Sequence, residues 1–283
     1  MARVRWKAFP YPDTAYEFAG VALRNHWPRL HRGDCEPFPD EAHLGKLVAA
    51  HRELEPPMPL AKAVSRLRDA WRAYHRGDFG GAIEEGLTIG PLGYNVANKA
   101  SNIYATYLAS DPDNAQALFK ETARRAEELQ ACAPRLPNAW YLHGQALGRY
   151  SQAISIAAAL AQGLAGKVRS SLDRAIALEP HHADAHIALG AYHAEIINKV
   201  GALIGSLTYG ASRDAAIKNF EISLKLNPDS AIARIEYANA LAAMFSRSRA
   251  AEATRLREAA AACEPADAME RLDMELAQSS MRR

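Results

Sequence analysis

The chain has 283 residues, of which 49% are apolar, so it is long enough to bury a continuous hydrophobic core. Its 34 basic and 32 acidic residues leave a formal net charge of +2, which excludes a broad electrostatic field for nucleic acid or an anionic membrane surface. Three widely spaced cysteines, Cys35, Cys132 and Cys263, form neither a disulfide framework nor a metal-ligand spacing, and they indicate a reducing, cytoplasmic setting.

The N-terminal region, residues 1–60, carries no repeat pattern. Its first residues are basic, but two early prolines stand where the apolar core of a signal peptide would be, which argues against secretion. Asp13 is a suitable N-cap for a helix that runs to about Trp27 and ends before Pro28. We expect this region to form either a helical cap on the rest of the chain or a strap that lies in its groove.

From about residue 61 onward, apolar residues recur at intervals of three and four, as they do on the buried face of amphipathic helices. Alternation with a period of two, which is typical of strands, is nearly missing. Clusters of proline and glycine divide the chain into helices of ordinary length. The pattern therefore predicts an all-α protein. Its most apolar stretch, residues 154–165, is too short to predict a membrane span.

The second half of the chain repeats itself. Three segments begin with a proline that is followed ten residues later by a small residue. The pairs are Pro134 and Gly144, Pro180 and Gly190, and Pro228 and Ala238. A helical pattern also precedes each of the prolines at 180, 228 and 265, so the order helix, turn, helix and proline recurs.

This pattern resembles the tetratricopeptide repeat (TPR), in which a small residue lets the first helix of a pair approach the second, and a proline ends the second. Trp140 and Gly144 match family positions in the first helix of a pair, and Phe220 and Pro228 match positions late in the second helix. The resemblance implies a right-handed α-solenoid of antiparallel helix hairpins. The predicted boundaries are a solenoid over 61–265, with repeats at about 63–93, 94–134, 137–180, 183–228 and 231–265, and a C-terminal capping helix or tail over 266–283.

Two of these hairpins are predicted to be elongated. The intervals from Gly144 to Pro180 and from Gly190 to Pro228 are 36 and 38 residues, and they exceed the family's spacing by 12 and 14. The inserts are helical in pattern, and elongated hairpins of this kind resemble the regulators of microtubule dynamics and the T component of TRAP-transporter systems. We expect small residues to pack the inserts side by side. These are Ala157, Ala158, Ala159, Ala161 and Gly163 against Gly201, Ala202 and Gly205.

The resemblance implies a non-enzymatic scaffold that binds a protein or peptide partner on the concave face of the solenoid. The residues expected to face the groove are Tyr141, Gln145, Arg149, Ile187, Ala191, Glu195 and Asn239. An alternative is a small-molecule or lipid carrier that uses a pocket between the elongated hairpins, with apolar walls and a few polar anchors.

The nearest approach to a metal site is a group of four histidines, His181, His182, His186 and His193. His186 and His193 lie two turns apart on one helical face, but the repeat places both at packing positions, and zinc sites need three or four converging ligands. We predict packing for this group, with no cofactor, no metal and no catalytic residues. For Trp6 and Trp27, a core position and a recognition role both remain open.

Overall fold

The structure, a computed structural model, describes residues 6–12 and 16–282. These residues contain fifteen α-helices and no β-strand, so the all-α prediction is confirmed for the described chain. The helices are α1 (Ala22–Leu30), α2 (Glu41–Ala50), α3 (Leu60–His75), α4 (Phe79–Thr88), α5 (Tyr94–Tyr107), α6 (Pro112–Cys132), α7 (Pro137–Gln152), α8 (Ile156–Ala161), α9 (Leu164–Leu178), α10 (Ala183–Val200), α11 (Ala202–Tyr209), α12 (Arg213–Leu226), α13 (Ala231–Phe245), α14 (Ala250–Ala261) and α15 (Ala268–Met281). None of the described helices is both long and apolar enough to cross a bilayer.

Most helices pair along the chain. α3 packs against α4, α5 against α6, α7 against α9, α10 against α12, and α13 against α14. The first helix of each pair also contacts the first helix of the next pair. Each pair therefore buries its apolar face on its neighbours, which is the stacking that defines a solenoid.

The small residues of the repeat lie where two helices approach most closely. A Cβ atom added to Gly144 would lie 3.0 Å from the Leu172 side chain of α9, and one added to Gly190 would lie 2.9 Å from the Phe220 ring of α12. Ala238 is fully buried. The repeat therefore needs small residues here because any larger side chain would meet the second helix of the pair.

Both inserts contain a separate short helix. α7 ends at Gln152, and α8 starts after Ser155, whose hydroxyl accepts a hydrogen bond from a backbone N–H of the new helix. α10 continues to Val200, and Gly201, with φ of +82°, redirects the chain into α11. The first helix of each elongated hairpin thus does not run straight through its insert.

Helix α1 differs from the sequence expectation. Asp13, the expected N-cap, lies outside the described residues, and the helix begins only at Ala22. Pro28 lies inside the helix instead of ending it. The burial of Trp27 and Leu30 on the same helical face holds this turn in place although proline donates no backbone hydrogen bond. Trp27 packs edge-on against the Trp71 ring in the core, at 5.6 Å between centroids.

The two ends of the described chain meet. α15 packs against α13 and α14 and also contacts α3 in the first pair. Arg29 of α1 donates hydrogen bonds of 2.6 and 2.8 Å to the Glu270 carboxylate of α15. The Tyr107 hydroxyl of α5 donates a short hydrogen bond to Asp273. The two ends of the described chain therefore contact each other and the first helices α3 and α5.

Candidate functional site

Residues 31–36, here called the crossing segment, run along the N-terminal ends of successive first helices. The Glu36 carboxylate accepts hydrogen bonds from the side-chain amides of Asn95 in α5 and Asn138 in α7, at 3.0 and 2.6 Å. The Gly33 carbonyl accepts a 2.9 Å hydrogen bond from the backbone N–H of Asp184 in α10. This part of the N-terminal region thus lies in the groove and closes one side of it.

A buried ion pair fixes the crossing segment. Lys99 of α5 donates a short hydrogen bond to Asp34, and His31 Nδ1 donates to the same carboxylate at 2.9 Å. Burial acts to raise the pKa of Asp34, but Lys99 and the His31 contact hold that pKa well below its usual range. Burial lowers the pKa of His31 to about 4. Asp34 is therefore ionised, and the neutral His31 ring donates to it.

Glu36 has the opposite electrostatic environment. Burial and the neighbouring charge of Asp34 raise the pKa of Glu36 to about 7, although its hydrogen bonds with Asn95 and Asn138 oppose the rise. The crossing segment therefore carries one carboxylate that is ionised at all ordinary pH values and another that titrates near neutrality.

A cavity of about 200 Å³ opens beside the crossing segment. It occupies the space between α7 and α10, which both pack against α9. Leu30 and Gly33 line it on one side, and Met269 and Asp273 of α15 line it on another. The cavity therefore lies between α7, α10 and the two ends of the described chain.

The far part of the cavity is apolar. Its walls come from α8 and α9 on one side and from the C-terminal half of α10 on the other. The apolar lining residues are Ile156, Leu160, Leu164, Val168, Leu172, Ile196 and Val200. Leu164, Val168 and Leu172 are buried, so this wall is part of the packed interior and is held in a fixed shape.

Gly148 of α7 leaves room in this cavity. A Cβ atom added to Gly148 would meet no atom within 4 Å, and this glycine has no positive φ. Gly144, one turn earlier, is blocked by Leu172. Position 148 is therefore the place where a larger side chain would enter the cavity without disturbing the helix pair.

Six of the seven residues expected to face the groove line this cavity. They are Tyr141, Gln145, Arg149, Ile187, Ala191 and Glu195. Asn239 is not part of the lining, and its side-chain oxygen accepts a 3.4 Å hydrogen bond from Arg257 of α14. The spacing of the repeat thus brings together one group of side chains from α7 and α10.

Polar bridges between helices surround the mouth of the cavity. Gln152 of α7 donates a 2.9 Å hydrogen bond to Glu195 of α10, which also pairs with Lys199 at 2.7 Å. Arg149 donates to Glu236 of α13 at 2.9 Å. Burial acts to lower the pKa of Arg149, but the charge of Glu236 opposes this effect, so the net direction is upward and the arginine stays charged. These bridges hold three first helices at fixed separations.

Asp184 also lines the cavity, but its carboxylate differs from the other lining acids in its lack of a side-chain partner among the described residues. Among residues 6–12 and 16–282, no side chain lies within hydrogen-bonding or ion-pair distance of its carboxylate. Burial raises the pKa of Asp184 to about 7; Lys99 opposes the rise, and Asp34 and Glu270 add to it. The polar wall of the cavity therefore contains an acid with no protein partner in the described chain.

The expected packing of the two inserts against each other is wrong. α8 packs against α9 and α11 against α10, and most of the small residues expected at the contact are exposed or half-buried. Large apolar side chains are exposed instead. They are Ile156, Leu160, Leu203, Ile204 and Leu207. The breaks at Ser155 and Gly201 turn the short helices away from the straight path that side-by-side packing requires.

Of the four histidines predicted to pack, His182, His186 and His193 are buried, whereas His181 is exposed, so the packing prediction is wrong for His181. His182 Nε2 lies 2.8 Å from the Asn138 side-chain oxygen, and its Nδ1 accepts the backbone N–H of Ala185 as an N-cap. His186 Nδ1 lies 2.7 Å from the Asn219 side-chain oxygen. No three metal-binding side chains converge within the part of the chain that the structure describes.

Sequence reasoning missed Asn95, Asn138 and Asp184. Each is the second residue of a first helix, in α5, α7 and α10, and each meets the crossing segment or the cavity. A polar residue at the same register of three successive first helices was the available signal. It pointed to a shared polar contact at one edge of the groove.

Comparison with known proteins supports the fold. No protein-family model matches the sequence, and no curated protein sequence matches it. Among solved structures, the chain is similar to the crystal structure of TTC0263, a thermophilic TPR protein in Thermus thermophilus. The TM-score is 0.54 at 19% sequence identity, and the match covers 77% of this chain and 99% of the other. This likeness confirms the TPR-like α-solenoid and, at such low identity, shows the fold alone.

Proposed function

We propose that this protein is a non-enzymatic binding scaffold that holds an extended segment of a partner protein in the cavity between α7 and α10. The observation that carries the proposal is the convergence of six groove-facing residues on one cavity that the chain's own ends leave open. TPR-like solenoids offer their concave side for binding because it is long, preformed and built from successive first helices.

The size of the cavity favours a peptide segment over a bulky ligand. Its volume of about 200 Å³ is smaller than the roughly 300 Å³ at which small-molecule pockets usually begin. A few side chains of an extended segment fit such a space. The carrier alternative needs a larger shared wall between the inserts, and their short helices do not pack on each other.

Two further features suit an intracellular scaffold. The three cysteines are unpaired, as a reducing compartment such as the cytoplasm requires. The polar bridges at the mouth keep the first helices at fixed positions, so little ordering is needed when a partner binds.

The test compares two variants of the full chain. Gly148→Phe places a ring in the open space of the cavity, whereas Gly166→Phe places one on the exposed side of α9, where a Cβ also meets nothing within 4 Å. Each variant is used to recover partners from a native lysate of the source cells, with quantitative mass spectrometry. We expect partners that are retained by the wild type and Gly166→Phe but lost with Gly148→Phe. Equal recovery by all three proteins would refute the proposal.

A further inference from the structure

The cavity lining has an excess of acid. Its basic residues are Lys99, Arg149 and Lys199, and each pairs with an acid of the protein itself. Its acidic residues are Asp184, Glu195, Glu236, Glu270 and Asp273. Of these, only Asp184 has no partner among the described residues. The charge that the protein leaves uncompensated in this cavity is therefore negative.

Asp184 is also held in a fixed position. Its backbone N–H donates to Gly33 of the crossing segment, and a Cβ atom added to Gly33 would lie 2.3 Å from the Asp184 carboxylate. The missing side chain of this glycine therefore leaves the room that the carboxylate occupies beside the cavity. A carboxylate that is half-buried and preorganised favours a cationic hydrogen-bond donor over water, because charge-assisted bonds are strongest in such surroundings.

The polar and apolar parts of the cavity lie on one helix. Asp184 and Tyr192 both line it and are eight residues apart on α10, which is a rise of about 12 Å. An extended peptide covers that distance with about three to four residues. A bound segment that follows α10 would thus meet the acid at one end and the apolar wall at the other.

We infer that the bound segment is basic and amphipathic: it presents a Lys or Arg side chain to Asp184 and, three to four residues away, a large apolar side chain to the wall that Leu164 and Val168 form beside Tyr192. This inference rests on the proposed function and names the chemistry of its partner. Lys or Arg pairs with the one lining carboxylate that has no hydrogen-bond or ion-pair partner among the described residues, and the apolar side chain of the segment leaves water when it contacts the wall.

The test uses a random 12-residue peptide library displayed on phage and selected on the full chain at pH 8. Enriched peptides are synthesised, and their affinities are measured by fluorescence anisotropy. We expect a Lys or Arg three to four residues from Leu, Ile, Met or Phe. Replacing that basic residue by Gln weakens binding about tenfold or more, and Asp184→Asn removes this difference between the Lys and Gln peptides.

Asp214→Asn is the matched control. Asp214 is also the second residue of its helix, α12, but it is exposed and does not line the cavity, so its loss leaves the affinity unchanged. If Asp184→Asn does not fold, as judged by circular dichroism, Asp184→Ala takes its place in the same comparison of Lys and Gln peptides.

The outcomes separate the two proposals. Peptides that lose binding with Gly148→Phe but show no basic residue would overturn the inference and leave the proposed function standing. Peptides whose binding ignores Gly148→Phe, or a selection that enriches no peptide, would overturn both. A basic residue whose effect is the same in the wild type and in Asp184→Asn would also refute the inference, since the cation would then act elsewhere.

Discussion

His75 and Asp267 are 192 residues apart in the sequence, and their side chains form a fully buried 2.8 Å contact between Nδ1 and Oδ2. His75 is the last residue of α3 in the first helix pair, and Asp267 is the N-cap of α15. The contact joins the two ends of the solenoid. Together with the ion pair between Arg29 and Glu270, this contact holds the N-terminal end of α15 against α1 and α3.

This contact predicts a large loss of stability for Asp267→Ala. The change removes the N-cap of α15 and leaves His75 without its buried partner, so we expect the free energy of unfolding to fall by about 3 kcal/mol. Asp111→Ala is the control, because Asp111 caps α6 on the exposed surface and should cost only about 1 kcal/mol. Urea denaturation followed by circular dichroism measures both. Equal losses would show that the buried contact contributes nothing.

The pair between Lys99 and Asp34 predicts strong coupling. Lys99→Met leaves the ionised Asp34 buried with His31 as its one remaining side-chain donor among the described residues, and we expect a loss of about 3–5 kcal/mol in the free energy of unfolding. The double variant with Asp34→Asn should be less destabilised than Lys99→Met alone, since position 34 then carries no charge that has lost its partner. Additive effects in this double-mutant cycle would contradict the prediction.

Two helical glycines predict opposite responses to alanine. Gly148→Ala adds a methyl group to open space and removes the flexibility of glycine, so it should stabilise the protein by about 0.5–1 kcal/mol. Gly190→Ala gains the same helix preference, but the methyl group would lie 2.9 Å from the Phe220 ring and should cost about 1–3 kcal/mol. Thermal unfolding of the two variants compares them directly. A stabilising Gly190→Ala would mean that α10 and α12 separate easily.

The raised pKa of Asp184 predicts a pH-dependent effect of Asp184→Asn. In the folded protein this carboxyl has a pKa of about 7, above its unfolded value of 3.8, because burial outweighs the attraction of Lys99 and because Asp34 and Glu270 repel its charge. Folding is therefore penalised progressively as the pH rises from about 4 to 7. Asn avoids this penalty.

The expected result is equal stability of Asp184→Asn and the wild type near pH 4, and a more stable variant at pH 8, by on the order of 2 kcal/mol. Chemical denaturation at both pH values measures the difference. Asp214→Asn, at the same helical position in α12, should show no such trend. A gain that does not change with pH would rule out the titration of Asp184 as its cause.

The exposed apolar residues of α11 predict little effect on stability. Leu203 and Leu207 are 75% and 80% exposed, so replacing each by Ser should change the free energy of unfolding by less than about 0.5 kcal/mol. Leu172→Ala, in the packed wall of the cavity, should cost about 2–5 kcal/mol. Differential scanning calorimetry distinguishes the two classes. A large loss at Leu203 would show that α11 packs more tightly than its exposure indicates.

The helical periodicity and the interval from Pro180 to Gly190 were sufficient to predict stacked helix pairs, because a close helix contact demands a small residue at a fixed register. The same register identified the groove-facing positions of α7 and α10, such as Gln145 and Ala191, since residues four apart share one helical face. These patterns involve residues that are close together in the chain, so they can be recognised from the sequence alone.

Only the tertiary structure decided which part of the groove remains open. The crossing segment meets Lys99 and Asp184 through contacts between residues far apart in the chain, and α15 reaches α3 through His75 and Asp267. No local periodicity encodes such contacts. They depend on the rotation of each helix pair relative to the one before it, because these rotations together set the curvature of the solenoid and the distance between its two ends. That curvature therefore decides the shape of the cavity and the position of Asp184 in it.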